Sequence, residues 1–70
     1  MRYMVILEQG PTSWGAFVPD LPGCIAAGES QQEALELIQE AIEFHLDGLK
    51  EEGSLIPSPH FSSAFVEVRA

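Results

Sequence analysis

The run Leu21-Pro22-Gly23-Cys24-Ile25-Ala26-Ala27-Gly28-Glu29-Ser30-Gln31-Gln32-Glu33 contains a turn, a strand and the start of a helix. Pro22 presets the dihedral of the second turn position and Gly23 accepts positive φ in the third, as a type II turn requires. Residues 24–27 then read as a short strand ending at Gly28. Ser30 followed by Glu33 has the spacing of a capping box, so a helix begins at Ser30. It is predicted to continue to about Glu52, with Gly53 as its C′ residue and Pro57 and Pro59 forbidding continuation.

Upstream, residues 2–8 are rich in β-formers and apolar on both alternating sets, Tyr3/Val5/Leu7 and Met4/Ile6, which suits an interior strand. Gly10 and Pro11 mark a hairpin loop, and residues 14–18 form the second strand, closed by Pro19. Downstream, residues 64–68 alternate well enough for a final strand. The order β-β-β-α-β predicts an α+β fold, a small mixed sheet with one helix packed on one face. With a right-handed return the fourth strand lies parallel beside the first, which then becomes central. Residues 1–70 are expected to form one domain, because a chain of 70 residues and 7.6 kDa cannot fill two cores.

Eleven acids against three bases, a net charge of -8, exclude a general nucleic-acid binder, since affinity for phosphate comes from cations. No apolar run approaches the ~18 residues of a membrane span and the N-terminus lacks a signal-peptide layout, so a cytoplasmic protein is expected. The single Cys24 cannot pair within the chain, and one Cys with His45 and His60 lacks zinc-site spacing; no metal or cofactor is called for. So small a domain is marginally stable alone, which leaves self-association as the remedy.

Around the helix, the positions from Phe44 and Leu37 through Ala41, Ala34, His45, Ile38 and Ile42 to Leu35 and Leu46 form a continuous arc of about 200°. A helix lying on one sheet needs only about 100°, so one edge must find other cover. Either a second chain provides it, or the hairpin, Trp14 or the segment around Pro57 wraps over it. Leu37, Phe44, Leu35 and Leu46, with Met4 and Ile6 of the first strand, are the self-association candidates, and a homodimer or higher homo-oligomer is expected. The opposite side carries Glu36, Glu40, Glu43 and Asp47, with Lys50 the only cation on this face. Such a face is either an ordinary solvated surface or a docking site for a basic protein, whose approach it would accelerate.

His45, within the apolar arc, reads as a packed histidine, and Cys24 as a structural thiol. His60 is expected in an exposed loop without a role, and Trp14 to pack locally. Catalysis has little to stand on. Glu8, Asp20 and Glu67 are the acids available outside the helix and its cap, and a metal-dependent nuclease needs carboxylates that converge.

The block Phe17-Val18-Pro19-Asp20-Leu21-Pro22-Gly23-Cys24, then Gly28-Glu29-Ser30, Glu33-Ala34-Leu35 and Glu40-Ala41-Ile42, closing with Ile56-Pro57-Ser58-Pro59, resembles the HicB-like antitoxin domain. The match spans nearly the whole chain. The resemblance implies a partial ribonuclease-H-like fold and a role in binding and neutralising a small basic, RNA-cleaving HicA-type toxin, without enzymatic activity. The loop residues Asp20, Leu21 and Gly23 then join Glu36, Glu40, Glu43 and Asp47 as toxin-interface candidates. Many relatives carry a C-terminal DNA-binding module; none is expected in this chain, which stops at Ala70. Leu37-Ile38 stands where many relatives have a more polar pair. An orphan oligomeric domain without a toxin is the alternative.

Overall fold

A computed structural model describes all 70 residues. Three strands, β1 (Ile6–Gln9), β2 (Trp14–Phe17) and β3 (Ile25–Gly28), precede one helix, α1 (Gln31–Glu51). The strands form an antiparallel sheet in the order β1-β2-β3, with Leu7 opposite Ala16 and Ala16 opposite Ala26. The fold is α+β, as the sequence pattern predicts.

Local chemistry accounts for the boundaries. The Cys24 N–H donates to the Leu21 carbonyl at 3.0 Å, and Gly23 has φ +86°, so the turn forms where Pro22-Gly23 demands it. Ser30 caps α1, its Oγ accepting from the Glu33 N–H at 3.1 Å. The Glu33 carboxylate reaches back to the N–H of Glu29 at 2.7 Å, one residue before the usual capping-box partner. At the other end Gly53, φ +73°, donates to the Lys50 carbonyl and Ser54 to that of Leu49, a Schellman motif.

The period of two along each strand divides the sheet into two faces. On one, Ala16, with Leu7 and Ala26 beside it, meets Ala34, Ile38, Ala41, Ile42 and Leu46 of α1. The small side chains on both layers allow close approach. At the junction of β3 and α1 the spacing is closest: a Cβ on Gly28 would lie 2.8 Å from the Ala34 backbone nitrogen. Val18, Leu21 and Cys24 complete a core of six buried residues, and with Asp20 only seven of the 70 are buried, so one chain hides little apolar surface. Trp14 packs against this core, as expected. Cys24 is buried, which pushes its thiol above the ordinary pKa, the state of a structural cysteine.

The expected fourth strand does not form within the chain. No residue after α1 joins the sheet, and residues 62–70 are exposed throughout. Consequently β1 is an edge strand and β2 the central one, the reverse of the expected order. The physical reason lies between the helix and this segment. Tyr3 Oη donates to the Pro57 carbonyl at 2.5 Å, and the buried Asp20 carboxylate accepts the N–H of His60 at 3.1 Å and of Phe61 at 3.4 Å. These bonds tie the segment after α1 to Tyr3, just ahead of β1, and to the loop after β2, and leave the free edge of β1 without a partner.

Candidate protein-binding surface

Glu36, Glu40, Glu43 and Asp47 recur at intervals of four, three and four residues, which places them in a stripe about 60° wide along α1. All four are exposed. None takes part in a salt bridge, the single one in the molecule being His60 with Asp20. Next to the stripe, on the flank turned from the sheet, lie Leu37 and Phe44, seven residues and thus two turns apart. Leu37 is 38% exposed and Phe44 82%. The outer flank of α1 therefore joins uncompensated negative charge to two apolar side chains, an arrangement suited to a cationic protein with an apolar anchor site.

The structure separates the self-association candidates. Leu37, Phe44, Leu35 and Ile6 are exposed, whereas Leu46 and Met4 are half-buried and Leu46 packs on the core. The wide apolar arc is covered on the side of Ile38 and Leu46 by the sheet, and it opens to solvent at the Leu37/Phe44 edge, most of all at Phe44.

The loop candidates divide in the same way. Asp20 and Leu21 are buried and are withdrawn from the interface; Leu21 fills the core and Asp20 is committed to the segment after α1. The Asp20 side chain is fully buried, and besides the two backbone N–H groups it meets His60 Nδ1 at 2.6 Å, an ion pair when the ring is protonated. Burial, and after it the negative charge of Asp20, raises the Tyr3 phenol above its ordinary pKa. Gly23 is exposed and lines a shallow groove with Phe17, Pro19, Pro22 and Ile25 on the sheet face opposite α1.

His60, given no role in the sequence reading, is thus the partner of Asp20. A separation of 40 residues leaves no local signal for that pairing. His45 is half-buried on α1. Glu8 lies in β1, Asp20 in the loop after β2 and Glu67 in the exposed terminal segment, and no three His, Cys, Asp or Glu residues gather where they could hold a metal ion. No helix is long and apolar enough to cross a membrane.

The family model described as "HicB_like antitoxin of bacterial toxin-antitoxin system" matches residues 3–68. The chain belongs to this family. It is 38% identical to "Antitoxin HicB 2" of Photorhabdus laumondii over 71 residues, which cover all of this chain and 51% of that protein. A UPF0150 protein of Helicobacter pylori is 43% identical over 50 residues, 71% of this chain and 69% of the relative. A UPF0150 protein of Thermoplasma acidophilum is 38% identical over 58 residues, 81% of this chain and 84% of the relative. The chain thus spans about half the length of HicB 2 and most of the two UPF0150 proteins.

Proposed function

We propose that this HicB-like chain is a non-enzymatic antitoxin that binds a small, basic, RNA-cleaving toxin of the HicA type and holds it inactive. The observation that carries the reading is the exposed stripe of Glu36, Glu40, Glu43 and Asp47 with Leu37 and Phe44 at its border. Four carboxylates without a cationic partner on one helix speed the encounter with a cationic protein, and the bordering apolar pair supplies contact that salt does not screen. Shielding of an RNA-cleaving surface requires only that the acidic flank occupy the cations that would bind phosphate.

The test is an RNA-cleavage assay in which a small basic HicA-type ribonuclease is titrated with the protein. Cleavage is expected to stop at a fixed stoichiometry, and the complex to weaken as salt is raised. Undiminished cleavage at saturating protein overturns the reading. A second reading, an orphan homo-oligomeric HicB-like scaffold, draws support from the row Ile6, Phe17 and Ile25 exposed on the outer sheet face. Capture of a basic nuclease partner would decide against it.

A further inference from the structure

We propose that residues 64–68 form a fourth strand in trans, on the β1 edge of a second copy of this chain, with the exchange reciprocated. The segment Ala64-Phe65-Val66-Glu67-Val68 holds an aromatic and two β-branched residues and no Gly or Pro, the composition of a strand. In the isolated chain Phe65 is fully exposed, Val66 79% and Val68 76%. Backbone and side chains of this arm have no partner, although its pattern is made for one.

The same molecule carries the complementary feature. β1 is an edge strand with one side of its backbone unpaired, and Tyr3, Met4 and Val5 extend the β-forming run beyond the ladder. Between Tyr3 and Gln9 there is no Pro or Lys, the residues that usually block an edge. The β3 edge is shorter, its four residues Ile25–Gly28 bounded by the Pro22-Gly23 turn and the helix cap at Ser30.

A second copy, rather than the same one, receives the arm because of the latch at its base. From Pro57, held by Tyr3 just ahead of β1, the chain passes to Asp20 in the loop after β2, where His60 and Phe61 are bound. Residues 57–61 are thereby fixed beside Tyr3 and the loop after β2, and beyond them the arm makes no pairing with its own β1. Beyond the latch, residues 62–70 reach roughly 30 Å at about 3.3 Å per residue, enough to span a neighbour's edge. Charge permits this contact between two chains that each carry -8. The arm has one acid and one base, Glu67 and Arg69, and residues 2–8 likewise have Arg2 and Glu8, whereas the acidic flank of α1 repels its own copy. Reciprocal exchange gives a closed two-fold dimer and extends the sheets of both copies at once.

Light-scattering mass measurement and amide hydrogen exchange on the full chain test the proposal, together with the variants Phe65→Pro and Val66→Pro. Adjacent positions alternate in which N–H faces the ladder, so at least one proline removes a strand bond, and neither site is buried in the isolated chain. The expected results are a mass of twice 7.6 kDa, amides of residues 64–68 protected, and at least a tenfold weaker dimer in one proline variant with its helical circular dichroism retained. A monomer at tens of micromolar, a dimer whose arm amides exchange at unstructured rates, or two proline variants that dimerise like the parent each overturns it.

Discussion

The two flanks of α1 are built from the same helix and answer to different partners. The inner flank, Ala34, Ile38, Ala41, Ile42 and Leu46, is spaced to meet the sheet, and its small residues let the layers approach. The outer flank, with Glu36, Glu40, Glu43 and Asp47 beside Leu37 and Phe44, faces solvent and has no cationic partner within the chain. Repulsion between neighbouring acids costs the isolated protein a little stability, so the outer flank is less favourable for folding than a mixed-charge surface would be. The contrast teaches that stability resides inside and recognition outside, and substitutions should separate the two.

Ile38→Ala should have the largest effect on stability, a loss of about 2–5 kcal/mol in urea unfolding, because it leaves a cavity beneath the centre of the helix. Asp20→Asn should cost about 1.5–3 kcal/mol, since the buried carboxylate accepts two backbone N–H bonds and the His60 contact. Hydrogen exchange should show amides 60 and 61 opening first. Should those amides stay protected, the latch does not depend on the Asp20 charge. Gly28→Ala should cost about 1–3 kcal/mol, because its methyl group would meet the Ala34 backbone nitrogen. An unchanged melting curve would show that β3 and α1 can separate without penalty.

Glu40→Gln should change stability least and in the opposite direction, a gain of a few tenths of a kcal/mol from relieved repulsion with Glu36 and Glu43. The same variant should bind a basic HicA-type ribonuclease more weakly, by a factor read from titration at low salt. Equal affinity in variant and parent would break the division of labour between the flanks.

Much of this architecture is legible in local sequence. Ser30 and Glu33 announce the helix start, Gly53 its end, and Pro22-Gly23 the turn before β3, because each acts on backbone groups a few residues away. The acidic stripe is legible for the same reason, as period and charge suffice to place it. Two expectations fail where the deciding contacts are remote. The alternation of residues 64–68 predicts a strand, but a strand needs an edge to pair with, and within the chain the segment beyond the Asp20 contacts pairs with none. Asp20 and Leu21 look like an exposed loop because Pro and Gly surround them, yet the turn folds their side chains inward.

Spacing, capping and charge along the chain were sufficient to specify three strands, one two-sided helix and a negative outer flank, since those properties depend on neighbours within a turn or a hairpin. Which strand lies in the middle, which apolar residues remain uncovered and where the terminal segment goes were settled by packing. Those outcomes depend on a carboxylate meeting amides 40 residues away and on the small area one such chain can bury.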